Sequence, residues 1–117
     1  MLRRVAAAAG LVALSFSLAP GAGAQDSAEA TYSSYHRAIR AYELCNDRRF
    51  DQTEHEKFST YIDQRIDDSI SVGRRLSLIQ QAKIEIRDVI DRKGCDSSEV
   101  QEALSLFSSE LQPALMQ

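Results

Sequence analysis

The sequence predicts an all-α protein: a small antiparallel four-helix bundle that carries one disulfide and follows a cleaved signal peptide. Three observations lead to this fold class. Apolar side chains in the body of the 117-residue chain recur at intervals of three and four residues, which is helical spacing. Strand-forming patterns are nearly missing, because the β-branched residues follow the same helical spacing. Two cysteines, Cys45 and Cys95, then determine how the helices fold back on each other.

Residues 1–24 have the features of a secretory signal peptide. Two arginines precede an apolar run over residues 5–19, and the small residues that follow predict cleavage between Ala24 and Gln25. The run has about 15 residues, whereas a membrane span needs about 20. A permanent N-terminal anchor is the alternative. The sequence favours an exported chain in which residues 25–117 form a single helical domain with no stable membrane anchor after cleavage.

The charge of the chain narrows the choice of partners. There are 14 Lys and Arg residues against 17 Asp and Glu residues, and loss of the signal-peptide arginines makes the chain more acidic still. An acidic chain with scattered arginines offers no basic stripe to nucleic acid and is not attracted to anionic lipid. We therefore expect another exported or envelope protein as the partner. The composition and the style of the signal favour a periplasmic or secreted protein of a Gram-negative bacterium.

The first two predicted helices span about residues 28–47 and 54–71. The second follows Thr53, which together with Glu56 three residues later matches a capping box. Each helix has one apolar side. The apolar side of the first helix consists of Ala28, Tyr32, Tyr35, Ile39 and Tyr42. The apolar side of the second consists of Phe58, Ile62, Ile66 and Ile70, with Tyr61 alongside.

The third and fourth predicted helices span about residues 75–93 and 98–112. Gly94 suits the left-handed position just after a helix, and Pro113 is expected to stop the fourth helix. These helices also have apolar sides. The members are Leu76, Ile79, Ala82, Ile86, Val89 and Ile90 on the third helix, and Val100, Ala103, Leu104, Phe107 and Leu111 on the fourth.

The second and third helices could instead be one long helix, and the cysteines decide between the two. Only Gly73 interrupts the pattern, and one glycine in a helix costs about 1 kcal/mol. Two cysteines in a small exported protein most often pair, which requires Cα atoms within about 7 Å. A continuous helix over residues 53–93 would separate its ends by about 60 Å. A Cys45–Cys95 disulfide therefore predicts a reversal near Gly73 and an up-down-up-down arrangement.

Few residues have the sequence context of a catalytic or cofactor-binding site, so we expect that the protein is not an enzyme and binds no cofactor. The serines lie at helix ends or on polar faces, and the cysteine spacing does not match a redox pair. No metal site is predicted, since the loop between the first two helices lacks the alternating acids and central glycine of a calcium loop. Its weak candidate ligands are Asp47, Asp51, Glu54 and His55, for which a solvated charged loop is the alternative.

Four tyrosines form the candidate interaction face: Tyr32, Tyr35, Tyr42 and Tyr61. An aromatic stripe at helical spacing usually packs in a core, where a tyrosine still brings its hydroxyl to a polar partner. The alternative is a tyrosine-lined groove for a peptide, an apolar ligand or a partner helix, because tyrosine is enriched at interfaces. Lys83 and Arg65 lie close in phase to the apolar stripes. They either reach water at the bundle edge or mark a face that another subunit covers.

The expected function is that of an exported, non-enzymatic helical protein that acts by protein–protein interaction, as an accessory subunit, an inhibitor or a periplasmic stress chaperone. Export, small size, helicity and a single cysteine pair resemble the design of acid-stress periplasmic chaperones, with no motif in common. The alternative is a small-molecule or metal-binding periplasmic protein that uses the bundle interior or the acidic loop between the first two helices. The sequence leaves the oligomeric state open.

Overall fold

The computed structural model of the protein describes residues 22–66 and 69–117, with side chains from residue 26 onward. This part of the chain is all-helical, with four helices and one disulfide, which confirms those parts of the predicted fold class. None of its helices combines the length and the apolar character that a bilayer span requires. The elements are α1 (Ala22–Cys45), α2 (Gln52–Asp63), α3 (Val72–Lys93) and α4 (Ser98–Leu106), and α4 continues into a π-helical segment (Phe107–Leu111) and a last helical turn (Gln112–Ala114).

The predicted signal peptide lies almost entirely outside the described residues, since the description begins at residue 22. The predicted cleavage point between Ala24 and Gln25 falls in the first turn of α1. That helix starts ahead of the predicted residue 28 and ends at Cys45, two residues before the predicted end.

The N-terminus of α2 has a capping box, but not at the predicted residues. The Asp51 carboxylate accepts a hydrogen bond from the Glu54 amide at 2.8 Å, and the Glu54 carboxylate accepts one from the Asp51 amide at 3.1 Å. The prediction of a box at Thr53 and Glu56 was therefore wrong by two residues. Both pairs have the required spacing of three, so spacing could not separate them.

The break between α2 and α3 comes earlier than predicted. α2 ends at Asp63, not near residue 71. Ile66 and Ile70, assigned to the stripe of the second helix, lie after its end and are nevertheless buried. α3 begins after Ser71, whose hydroxyl accepts a hydrogen bond from the Arg74 amide at 3.2 Å, so Gly73 lies inside the first turn of α3 and does not break the chain.

The disulfide and the ion pairs define the directions of the helices. Cys45 and Cys95 are bonded, with their Cα atoms 5.9 Å apart, which confirms the predicted disulfide. This bond joins the C-terminal ends of α1 and α3. An ion pair between Glu29 and Arg74 joins their N-terminal ends, so the two helices run parallel. α4 runs antiparallel to α1, since its start lies at the disulfide and its continuation reaches Tyr35 near the middle of α1.

The buried apolar residues form two groups along α1. The aromatic cluster occupies the region where α1, α2 and the π-helical segment meet. The disulfide cluster lies where α1, α3 and α4 converge. The buried members of the aromatic cluster are Tyr32, Tyr35, Ala38, Ile39, Phe50, Phe58, Ile62, Ile66, Ile70, Leu78, Phe107 and Leu111. Those of the disulfide cluster are Ala41, Ile86 and Val100, with Cys45, Val89, Ile90, Cys95, Ala103 and Leu104 packed against them.

The π-helical segment departs from the uniform fourth helix that the pattern predicts. Its wider winding is visible in the bond from the Gln112 amide to the Phe107 carbonyl, five residues back. Phe107 and Leu111 are both fully buried by this geometry. Pro113 does not stop the helical winding as predicted: it lies in the first turn of the last helical segment, which extends past it to Ala114.

Candidate interaction surface

The structure places the four predicted tyrosines in or against the aromatic cluster. Tyr32 and Tyr35 are buried, and Tyr42 and Tyr61 are half-buried beside them. The ring of Tyr42 stacks on Phe107 with a centroid distance of 4.2 Å. The stripe therefore serves core packing, the first of the two roles considered for it. A contact between a partner and the accessible parts of Tyr42 and Tyr61 stays a prediction.

Two of these tyrosines donate hydrogen bonds from their hydroxyls to the same carboxylate. Tyr35 and Tyr61 donate to the same Glu110 oxygen, at 2.7 and 2.9 Å. Burial, followed by the hydrogen bond to Glu110, raises the pKa of both phenols above their usual value. Arg65 was predicted to lie on the second helix, but it follows the end of α2. Its guanidinium carbon lies 3.3 Å from the Tyr61 ring centroid. The hydroxyls are thus part of an internal network.

Three of the four weak metal candidates take part in local structure. Asp51 and Glu54 form the cap of α2, and Glu54 also accepts a hydrogen bond from Arg48 at 2.6 Å. The His55 ring packs edge-on against Phe50. In residues 22–66 and 69–117, no group of three or more His, Cys, Asp or Glu side chains is arranged to hold a metal ion.

In the described part of the chain, α3 carries three exposed large apolar side chains, and Met116 near the C-terminus is a fourth. Val72, Leu76 and Ile84 are 75%, 61% and 67% exposed, although each is large and apolar. At about 100° per residue, all three project within an arc of about 120°, and Lys83 lies inside the same arc. The buried side of α3 carries Leu78, Ala82 and Ile86. We call Val72, Leu76, Lys83 and Ile84 the α3 strip.

Lys83 leaves one positive charge on the α3 strip without a partner in the described chain. It is exposed and forms no ion pair or hydrogen bond there. The arginines at the start of α3 differ in this respect: Arg74 pairs with Glu29 at 2.7 Å, and Arg75 pairs with Asp63 at 2.8 Å. The neighbouring His36 adds no charge at neutral pH, because burial, followed by the charge of Lys83, lowers its pKa to about 4.

Sequence reasoning missed the α3 strip because it placed the core side of the helix slightly out of phase. Leu76 was assigned to the buried stripe and Leu78 was omitted, whereas Leu76 is exposed and Leu78 is buried. A usable signal was present: Val72 and Ile84 are apolar residues outside the predicted stripe. Lys83 close in phase to that stripe was the second sign, and one of its two readings was a face left for another subunit.

Two surface concavities lie beside the disulfide cluster. The first is a groove of about 500 Å³ between α1, α3 and α4, with Ile86, Val89, Ala103 and Leu106 among its lining residues. The second, of about 310 Å³, lies on the other side of the contact between α1 and α3 and is rich in arginine. Neither was predicted from the sequence, because each joins residues from distant parts of the chain.

No protein-family model matches the chain, and neither the curated proteins nor the solved structures include a match to it.

Proposed function

We propose that this is an exported, non-enzymatic helical protein that acts by binding another exported or envelope protein through the α3 strip. The observation that carries the proposal is the exposure of Val72, Leu76 and Ile84 on one side of a helix whose other side is well buried. Covering apolar surface contributes about 25 cal/mol per Å², so such a strip favours association. Accessory subunit, inhibitor and stress chaperone are all roles that work through a contact of this kind.

The partner surface we propose is an amphipathic helix with at least one carboxylate. From Val72 to Ile84 the strip extends about 18 Å along α3, which is about three helical turns. Helices that dock in this way place apolar anchors three, four and seven residues apart. The free charge of Lys83 favours an acidic residue opposite it, because complementary charges at an interface fix orientation and accelerate encounter.

Export and the finer architecture are also part of the proposal. A disulfide persists in oxidising compartments, and the first 24 residues match a secretory signal, so we place the mature protein in a periplasm or outside the cell. The parallel α1 and α3, with α4 antiparallel to α1, support an antiparallel four-helix arrangement in which α2, with 12 residues, is much shorter than α1 and α3.

Site-specific photo-crosslinking tests the binding function. A photoreactive residue is placed at position 76 or 84 of the full chain in its own bacterium, and at position 81, outside the strip, as a control. We expect crosslinks from 76 and 84 to one protein, at an amphipathic segment that contains a carboxylate. Equal crosslinking from position 81, or none from the strip, would overturn the proposal.

Charge substitutions provide the matched variants for this experiment. Leu76→Glu with Ile84→Glu should abolish the crosslinked complex, because two carboxylates on the strip cannot be buried against an apolar face. Gln81→Glu with Ser105→Glu adds the same charge to exposed positions outside the strip, on α3 and α4, and should leave the complex intact. Loss of the complex in both variants would mean that net charge, and not the strip, governs it.

The alternative function, binding of a small molecule, is supported by the groove of about 500 Å³ between α1, α3 and α4. Its partly apolar lining would suit a small apolar ligand. Native mass spectrometry of the protein purified from its own periplasm separates the two functions. A retained small-molecule mass would favour the groove, and a retained protein would favour the α3 strip.

A further inference from the structure

An arginine-rich pocket lies beside the end of α1. It has a volume of about 310 Å³ and is open to solvent. Four arginines and only two acidic residues line it, although the whole chain has a net charge of −3. The arginine pocket is therefore a positive site in an acidic protein. It is lined by Arg40, Glu43, Leu44, Asp47, Arg48, Arg49 and Arg87.

Most of the donors in the arginine pocket are unused. Arg40 donates one hydrogen bond to Glu43 at 3.3 Å, and Arg48 donates one to Glu54 at 2.6 Å. Arg49 and Arg87 are exposed and have no hydrogen bond or ion pair within the part of the chain that the structure describes. Each guanidinium carries five N–H donors, so the pocket has many left for a ligand.

The wall of the pocket is held in place by the chain reversal after α1. Asp47 has a left-handed φ of 48°, and the Arg48 amide donates to the Glu43 carbonyl at 3.0 Å, five residues back. This pattern is a Schellman-type helix end. It turns Arg48 and Arg49 back along α1 and fixes their backbone.

A buried carboxylate strengthens the same wall. Glu43 is 7% exposed, and it accepts hydrogen bonds from Arg40 and from the Phe50 amide, the latter at 3.0 Å. Arg87 comes from α3, whose C-terminal end the nearby disulfide ties to α1. The two unpaired arginines thus project from a loop and a helix that are each fixed against α1.

We propose that the arginine pocket binds a phosphate group, either free or carried by a small organic molecule as a monoester. Guanidinium groups match the oxygens of phosphate in paired hydrogen bonds, and such charge-assisted bonds are the strong ones. Four arginines stand against Glu43, Asp47 and the Glu54 carboxylate that pairs with Arg48, which leaves an excess of about one positive charge for an anion. The inference is independent of the proposed function, because none of the pocket residues belongs to the α3 strip.

Titration of the mature protein with two probes, inorganic phosphate and glycerol phosphate, tests the site at constant ionic strength. We expect saturable calorimetric binding and chemical-shift changes at Arg49 and Arg87. Tighter binding of glycerol phosphate would identify a monoester as the ligand, and equal or tighter binding of inorganic phosphate would identify the free ion. Absence of saturable binding for both probes would overturn the proposal.

Paired charge-removing variants separate a pocket from a general charge effect. Arg49→Gln with Arg87→Gln should weaken binding by about tenfold or more, since it removes the two unpaired guanidinium groups. Arg37→Gln with Arg92→Gln removes the same charge outside the pocket, from arginines paired with Glu85 and Asp88, and should change affinity less than about twofold. Equal weakening in both would overturn the proposal. Thermal melts show that each variant is folded, and Val72→Glu with Leu76→Glu, about 16 Å or more along α3 from Arg87, should bind the probes normally.

Discussion

The aromatic cluster and the disulfide cluster lie along the same helix but are held together differently. In the aromatic cluster, rings from α1, the loop at Phe50, α2 and the π-helical segment pack at varied angles, without a covalent link. In the disulfide cluster, Ala41 and Val100 are fully buried and small, and Cys45 is bonded to Cys95. Where a covalent bond fixes the distance between helices, small buried side chains are enough to fill the space between them. Where it does not, large apolar rings must fill the space between elements.

The largest expected effect comes from removing a ring of the aromatic cluster. Phe107→Ala should lower the free energy of unfolding by about 4 to 5 kcal/mol, since Phe107 is fully buried and contacts the rings of Tyr42, Phe50 and Phe58. Val100→Ala in the disulfide cluster should cost about 2 kcal/mol, because fewer atoms are removed. Urea unfolding measures both. A larger loss for Val100→Ala would reverse the comparison.

Loss of the disulfide should follow closely. Cys45→Ala with Cys95→Ala should lower the free energy of unfolding by about 4 kcal/mol, because the bond closes a loop with a sequence separation of 50. Hydrogen exchange should accelerate most at the C-terminal end of α3 and least around Phe107. Thermal melts of the wild-type protein with and without reductant give an independent check. Identical midpoints would show that the covalent link is not what stabilises its end of the molecule.

Acid should lower the free energy of unfolding mainly through His36, which lies on α1 beside the aromatic cluster. The His36 ring lies tilted against Tyr32 at a centroid distance of 4.6 Å, and its pKa of about 4 lies below the usual 6.5, chiefly because of burial. The unfolded chain therefore binds a proton at a pH where the folded chain does not. This difference lowers the free energy of unfolding as the pH falls through 6.5 toward 4, by about 2 kcal/mol between pH 7 and pH 5.

The matching variant is His36→Gln, which removes the titrating ring. Urea unfolding at pH 7 and pH 5 should show a much smaller difference for the variant than for the wild type. His55→Gln is the control, because His55 is exposed and its substitution should leave the difference in place. An unchanged difference in His36→Gln would assign the acid sensitivity to other groups.

The smallest expected effect is a gain in stability beside the disulfide cluster. Asp47 holds a left-handed φ of 48°, which glycine adopts without a steric penalty. Asp47→Gly should raise the free energy of unfolding by up to about 1 kcal/mol. Asp96→Gly, at an exposed position with ordinary φ, should lower it or leave it unchanged. A loss of stability in Asp47→Gly would mean that the carboxylate makes a compensating contact.

The disulfide cluster was largely predictable from the sequence, and the aromatic cluster only in part. The pairing of Cys45 with Cys95 follows from compartment and geometry, and it forces the chain to reverse between them. The end of α2 could not be read from periodicity, because Ile66 and Ile70 are buried outside a helix and so continue the helical pattern past its end.

The candidate site was harder to predict than the fold. Leu76 and Leu78 are two residues apart on α3, and only their packing neighbours decide which of them is buried. The arginine pocket is formed by a helix end, a loop and a second helix, so no local sequence pattern predicts it. Lys83 was visible as a charge near an apolar stripe, but the sequence could not choose between a snorkelling side chain and an uncovered face.

The wider winding at Phe107–Leu111 accommodates one residue more than an ordinary α-helical turn. Deletion of one residue there would restore α-helical winding and leave all later side chains at nearly the same angle, whereas deletion of a residue in α4 would rotate them by about 100° around the axis. In the first case the Leu115 carbonyl would keep the hydrogen bond that it now accepts from the Lys57 amino group at 3.0 Å. Single-residue deletions in this segment should therefore be tolerated better than single-residue deletions in α4.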